Sequence, residues 1–376
     1  TSGTTGARKC AMLTHNNLTF CELGFNRAVG ITEDDVMLMP APLYHATGFA
    51  HGILSTMLAG AKLVLQKKFS ASGAVGLVNR ERCTYSMGTT TFLYDILREL
   101  PAAGAEMPSL RLFICGGAPV PSYLVKKAAE AGIKLCECYG STESIPHTLV
   151  RPDEWSADML PSAGRPIDGV EVRIVDGGGN DVEDGVKGEE WSRGPNVFIG
   201  YQNDPEATDR VLDDDGWFHS GDLCVRSPEG NIRVVGRLKD VIIRGGVNLN
   251  ANALNENVLL CPDVRDSVVI GMPDPRLGER ICVFVVPADP RKPVTLEGLK
   301  DFLCRKGVPK YAWPERVETI EKIPMTESGK VKKYLLTEEL ARRMGRNQAA
   351  NPEKAKKKAA LEQRFGPRRA RESVKP

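Results

Sequence analysis

From residue 36 to residue 139 the chain alternates strand-like apolar runs with helical patterns, and this alternation constrains the fold more than any other feature. The runs are "VMLMPAP", "AKLVLQ", "CTYSMG", "LRLFICGG" and "KLCECYG", and the helical patterns "TFLYDILREL" and "PSYLVKKAAEAG" lie between the later ones. Such alternation predicts an α/β fold built on a mostly parallel sheet covered on both faces. The pattern changes after Pro161. "VEVRIVD", "GEEWSRGP" and "GWFHSGDLCVRSPEGNIRVVGR" are short strands with turn signals, which suits a small antiparallel β unit. A third style begins after Lys239, where "DVIIRGG" leads to a helix-like "NALNENVLL". The strands "VRDSVVIGMP" and "ERICVFVVP" and the helix "LEGLKDFLCRKG" follow, an α+β unit. The expected divisions are 1–160, 161–238, 239–338 and a tail, 339–376.

Composition is that of a globular chain, 41% apolar and 26% charged. At 376 residues, two or more domains are expected. No apolar run is long enough to span a bilayer, and no charged-then-apolar leader is visible. Ten cysteines are scattered without a CxxC pair, the closest being Cys136 and Cys138. Most sit in apolar stretches, which favours buried free thiols over zinc ligands or disulfides and points to a cytoplasmic location. The net charge of +2 conceals an asymmetry. Residues 341–376 hold twelve Lys/Arg against three Asp/Glu, leaving about −7 on the rest. With few large apolar residues, this tail is expected to be solvated and largely disordered, apart from a short helix at most. Nucleic-acid binding is not expected of it; peripheral membrane contact stays open.

The chain opens on "TSGTTGARK". Gly3 and Gly6 let amide N–H groups converge on an anion, Ser2, Thr4 and Thr5 add hydroxyls, and Lys9 adds a mobile charge. Only two residues separate the glycines, so this is not the P-loop of NTPases, and taken alone such a loop is more often an ordinary turn. Other stretches carry similar chemistry. In "CYGSTES", Tyr139 can stack on a base, Gly140 allows close approach, Thr142 offers a hydroxyl and Glu143 suits a hard divalent cation beside phosphate. In "FHSGDL", Asp222 can accept from two ribose hydroxyls. "GRLKD" supplies Arg237 and Lys239, and "TESGKVKK" puts Lys330 on a Ser-Gly turn. Each has a bland alternative: a core aromatic, a turn cap, a surface charge.

The order of these motifs resembles the adenylate-forming superfamily of acyl-CoA synthetases, luciferases and peptide-synthetase adenylation domains. The matching stretches are "TSGTTGARK", "APLYHATG", "ICGGAPV", "YGSTE", "GWFHSGDL", "GRLKDVIIRGGVN" and "TESGKVKK", which extend the resemblance to about Leu336. Within it, "MPAPLYHATGF", "SRGPNVFIGY" and "DPRLGER" are most similar to bacterial short- and medium-chain fatty acid–CoA ligases. The resemblance implies an AMP-forming acid–thiol ligase using ATP, Mg²⁺ and coenzyme A, in which an acyl-adenylate forms and is attacked by the CoA thiol. It implies that Thr1, Ser2, Gly3, Thr4, Thr5, Gly6 and Lys9 cradle the leaving phosphates. Gly117, Ala118 and Pro119 would line the adenine, with Tyr139 and Gly140 against it. Ser141 would belong to the same loop, Thr142 would contact the α-phosphate and Glu143 would bind Mg²⁺. Asp222 and Arg237 would hold the ribose. Lys239 would be the hinge of a C-terminal lid, whose Lys330 acts in adenylation and whose Gly245–Gly246 loop lies on the CoA path. His45 would stand at the edge of the acyl site.

Residues 43–49 contain no acid to pair an α-amine, and Ala46, Thr47, Gly48, Phe49 and Gly52 are small or apolar, so a fatty or other non-amino carboxylic acid is expected. An aryl acid is the alternative. Departures from the family pattern are Ala7-Arg8 in place of a proline, Ala253 and Asn255 in place of two acids, and Met325 where arginine is common. The resemblance also implies a domain-sized block before the phosphate loop, so the chain is expected to be an N-terminally truncated member of the fold. A second reading follows, an inert fragment that retains at most nucleotide binding.

Overall fold

The computed structural model describes residues 1, 9–117, 120–159, 162–326 and 330–349. Three sheets organise them. The first is mostly parallel and contains β1 (Val36–Met39), β2 (Lys62–Leu65), β3 (Tyr85–Gly88), β4 (Leu112–Gly116) and β5 (Lys134–Tyr139), in the order β2-β1-β3-β4-β5. Two short antiparallel strands, β6 (Thr148–Leu149) and β7 (Arg165–Pro166), extend it past β5. The large sheet therefore reaches Pro166, beyond the expected division at 160. Leu149 pairs with Cys138 and Arg165 with Leu149, and this ladder carries the chain past the boundary suggested by composition.

Both faces of this sheet are buried, which explains why its strands read as continuous apolar runs. Leu38, Phe113 and Cys115 point to one face and pack on Ala74, Val78, Leu93, Ile96 and Leu124. Met37, Met39, Leu112 and Ile114 point to the other and meet Phe25 and Val29. The covering helices are α1 (His15–Val29), α2 (Ser55–Ala59), α3 (Ala71–Glu81), α4 (Thr90–Ala103) and α5 (Ser122–Glu130). Thr14 starts α1 with a capping box to Asn17, and Gly30 ends it in the left-handed region. Ahead of α2 the chain winds a π-helix over Thr47–Leu54, a form that apolar periodicity does not announce.

The second sheet is antiparallel, with β8 (Glu171–Val175), β9 (Lys187–Arg193), β10 (Phe218–Arg226) and β11 (Ile232–Arg237) in the order β11-β10-β9-β8. A short helix, α6 (Pro205–Asp209), sits in the β9–β10 connection. The C-terminal unit combines β12 (Val241–Arg244), β13 (Val247–Asn250), β14 (Val264–Asp274), β15 (Gly278–Pro287) and β16 (Arg316–Thr319) with α7 (Ala251–Leu259), α8 (Leu296–Arg305) and α9 (Lys333–Ala349). Helix α9 takes in the first eleven residues of the expected tail, 339–349. Leu336 and Leu340 are buried against Val268, Ile270 and Phe284, and this apolar stripe holds the helix on the sheet. Residues 350–376, the rest of that tail, lie outside the described residues. Eight of the ten cysteines are buried and all ten are free. No helix among the described residues is long and apolar enough to cross a membrane.

Candidate active site

In an open parallel sheet the crevice forms at the carboxyl ends of the strands, where the strand order reverses. Here the order reverses between β1 and β3. His45 follows β1, Gly117 follows β4, and Tyr139 ends β5 and leads into Gly140, Ser141, Thr142 and Glu143. The second sheet brings Asp222 and Arg237 to the same place as register partners across β10 and β11.

Tyr139 joins the two sheets. Its hydroxyl reaches Asp222 Oδ2 at 2.9 Å and Glu190 Oε2 at 3.1 Å. Arg237 Nε stands 2.7 Å from Asp222 Oδ1, forming an ion pair, and the buried Oδ1 has no other partner among the described residues. Burial raises the Asp222 carboxyl above the ordinary range, against the pull of Arg237. Burial likewise pushes the Tyr139 phenol well up, with Glu190 and Asp222 adding to it, so the hydroxyl keeps its proton at neutral pH. Behind the ring His147 Nε2 meets Glu190 Oε1 at 3.1 Å, both side chains being essentially inaccessible. His147 Nδ1 faces Ser144 Oγ at 3.0 Å, and Ser144 Oγ receives Asn196 Nδ2 at 2.8 Å. The motif reading gives no role to Glu190, His147 or Ser144.

The loop after Tyr139 is held tightly. A β-carbon on Gly140 would lie 2.6 Å from the Pro146 backbone, so no side chain fits there. Ser141 Oγ accepts from the amides of Glu143 and Ser144, at 3.2 and 3.1 Å. This turn presents Thr142, whose hydroxyl makes no hydrogen bond among the described residues, and Glu143. Glu143 Oε1 accepts from Tyr201 at 2.6 Å, and Oε2 has no donor among the described residues.

The C-terminal unit delivers Lys330 into this cluster. Its Cε lies 3.0 Å from the place of a β-carbon on Gly117, and Nζ lies 3.5 Å from it. Gly117 also has φ +88°, so two constraints keep that position a glycine. Burial and the charge of Arg237 hold the Lys330 ammonium below the ordinary lysine range, with Asp222 and Glu143 acting the other way. His45 is drawn down to about 4 by burial, then by Lys330 and His51, so it is neutral at pH 7. Lys239 lies in the turn before β12 and is lowered by burial and Arg237. Its neighbour Asp240 is pinned by Lys333 at 2.8 Å.

The predicted phosphate loop is seen at its ends only. The amide of Lys9 donates to Thr1 Oγ1 at 3.0 Å, and the Thr1 nitrogen donates to the Lys9 carbonyl at 2.7 Å. Ser2, Gly3, Thr4, Thr5 and Gly6 lie outside the described residues, as do Ala118 and Pro119. Gly245 and Gly246 are not gathered with the rest. They form the exposed turn between β12 and β13, where Gly245 neighbours Leu277.

The pattern of a family described as AMP-binding enzyme matches residues 1–202, and that of the family's C-terminal domain matches residues 254–330. The chain belongs to the AMP-binding enzyme family. Among curated members, a medium-chain fatty-acid–CoA ligase of Escherichia coli (strain K12) is 43% identical over 344 residues, covering 92% of this chain and 61% of that protein. A feruloyl-CoA synthase of an Amycolatopsis species is 38% identical, covering 92% of this chain and 69% of its own length. A solved member is the O-succinylbenzoate coenzyme A synthetase of Bacillus subtilis, in complex with ATP and a magnesium ion. It is 30% identical with a TM-score of 0.80, covering 89% of this chain and 68% of that one. This AMP-binding enzyme thus spans about six-tenths to two-thirds of the length of the relatives it matches.

Proposed function

We propose that this chain belongs to an AMP-forming carboxylate–CoA ligase, which activates a carboxylic acid with ATP and passes the acyl group to CoA. The observation that carries this reading is the arrival of Lys330, from the C-terminal unit, beside Gly117 and within the fields of Asp222, Arg237 and Glu143.

The residues fit the groups the reaction needs. Apart from its ion pair with Arg237, the buried Asp222 Oδ1 has no partner among the described residues, and a ribose hydroxyl would supply a donor. Gly117 leaves a backbone cradle that a β-carbon would fill. Glu143 offers one carboxylate oxygen unpaired among the described residues, and Mg²⁺ is commonly held by one or two carboxylates plus substrate phosphates. Bound there, the metal would neutralise phosphate charge as the carboxylate approaches. Thr142 and Lys9 would hold phosphate oxygens. Lys330 would bridge the incoming carboxylate and the α-phosphate, stabilising charge that develops in the transition state. Neutral His45 cannot repel a cation or trap the acid, which suits an edge rather than a charged anchor.

The finer reading is a medium-chain fatty acid, supported by the Escherichia coli relative and by the acid-free 43–49 stretch. The feruloyl relative supports an aryl acid as a second reading. The test is acid-dependent ATP–pyrophosphate exchange across straight-chain acids from butanoate to dodecanoate and ferulate, followed by mass spectrometry of CoA thioesters. Exchange that peaks with a six- to ten-carbon acid is expected. Exchange independent of any added acid overturns the ligase reading, and a preference for ferulate overturns the fatty-acid one.

A further inference from the structure

Tyr201 touches two groups at once. Its hydroxyl donates to Glu143 Oε1 at 2.6 Å, and Lys9 Nζ lies 4.5 Å from its ring centroid. The backbone around it is built into both neighbours. Met12 N donates to Gly200 O at 2.9 Å, Ile199 N to Met12 O at 3.0 Å and Gln202 N to Cys10 O at 2.8 Å, which ties the segment to the end of the phosphate loop. On the other side Phe198 N donates to the Glu143 carbonyl at 2.8 Å. Tyr201 as a whole is 7% exposed, its ring meets Phe198 edge-on at 4.9 Å, and its amide is held by Thr208 Oγ1 at 2.9 Å. The ring therefore has little freedom, and what it touches is placed by it.

We propose that Tyr201 is the positioning residue of the phosphate-and-metal end of the site, aiming Glu143 through its hydroxyl and Lys9 through its ring face. The inference rests on the roles given above to Glu143 and Lys9. A carboxylate with both oxygens free can swing or chelate. A short hydrogen bond to Oε1 fixes its rotamer and leaves Oε2 for a hard cation. The aromatic face attracts the flexible ammonium of Lys9 without neutralising it, so its charge stays available to phosphate.

The test uses this chain with Tyr201→Phe and Tyr201→Leu, and reads binding rather than turnover. ATP binding is followed by calorimetry as Mg²⁺ is varied, Mn²⁺ binding in the presence of ATP by electron paramagnetic resonance, and AMP binding without metal. Tyr201→Phe keeps the ring and loses the hydroxyl. It should raise the Mg²⁺ and Mn²⁺ concentrations for half-saturation by about tenfold, the size of effect typical when an outer partner of a metal ligand is lost. Metal-free AMP affinity should stay within about twofold of the unsubstituted chain, a shift of under ~0.5 kcal/mol. Tyr201→Leu should also weaken ATP without metal. If Tyr201→Leu does not fold, Tyr201→Phe decides alone. An unchanged metal requirement in Tyr201→Phe, or an equal loss of metal-free AMP binding, overturns the proposal. If the unsubstituted chain binds no ATP with Mg²⁺ present, the ligase reading falls and this one with it.

Discussion

The Cε of Lys330 stands 3.0 Å from the point a β-carbon on Gly117 would occupy. The two residues belong to different units, so their contact reports how the C-terminal unit sits over the crevice of the large sheet. The ammonium arrives already partly stripped of water, beside Arg237, which lowers its basicity. Such a charge is worth more to a developing anion than one in solvent.

Lys330→Ala should therefore slow adenylation by about 10²–10³-fold, the magnitude of a lost preorganised electrostatic group. Thioester formation from supplied acyl-adenylate should change by no more than about twofold, a barrier shift of under ~0.5 kcal/mol. Rapid-quench measurement of each half-reaction checks this, and equal slowing of both steps counts against the assignment of Lys330 to adenylation.

Tyr139 has one proton for two carboxylates, Asp222 and Glu190. In Tyr139→Phe both lose a buried donor, at a cost of about 1–3 kcal/mol for a stranded polar group. The expected outcome is an ATP dissociation constant raised about tenfold, with the protein still folded. Calorimetric titration beside a urea melt separates the two effects.

His147 and Glu190 form a pair that no water reaches. Removing one partner strands the other, so His147→Leu should lower unfolding free energy by about 3–5 kcal/mol. Changing both, His147→Leu with Glu190→Leu, should recover most of that loss, because neither polar partner is then left buried without the other. Urea unfolding of the three variants measures it. An additive double variant would mean that the pair is not coupled.

Glu137 lies on β5 with the Val120 amide as its donor at 3.3 Å, and burial lifts its carboxyl to about 7. Between the ordinary value of 4.5 and about 7 the folded chain binds this proton and the unfolded chain does not. Stability from this group is thus full below pH 4.5 and is lost as pH rises toward 7. Glu137→Gln should be more stable than the unsubstituted chain at pH 8, by roughly 1–2 kcal/mol, and little different at pH 4.5. Chemical denaturation at the two pH values gives the answer, and equal differences at both would mean that Glu137 does not titrate in this range.

Much of this was legible in the chain itself. Runs such as "LRLFICGG" needed no context to read as strands, because both faces of a parallel sheet are buried and every position must then be apolar. The helices α4 and α5 followed from their apolar spacing. The residues around the crevice were legible as a family pattern, since glycines, hydroxyls and carboxylates in that order are a chemical requirement. What the chain could not announce depended on distant segments. The π-helix over Thr47–Leu54 is permitted by the close approach of Gly48 to Pro42, where a β-carbon would lie 2.2 Å from the carbonyl oxygen. The length of α9 depends on Leu340 finding Phe284.

The same division runs through the site. The sequence by itself determined which groups are available: Lys9, Tyr139, Glu143, Asp222, Arg237 and Lys330. Their chemistry is local to each side chain, and their order along the chain matches that of a known family. Only the tertiary structure decided what stands behind them, with His147 and Glu190 backing Tyr139 and Tyr201 set between Lys9 and Glu143. Those contacts join residues far apart in the chain, across separate sheets and connections. A buried polar group reveals its purpose only when its partner is in place, because burial is costly until a hydrogen bond offsets it.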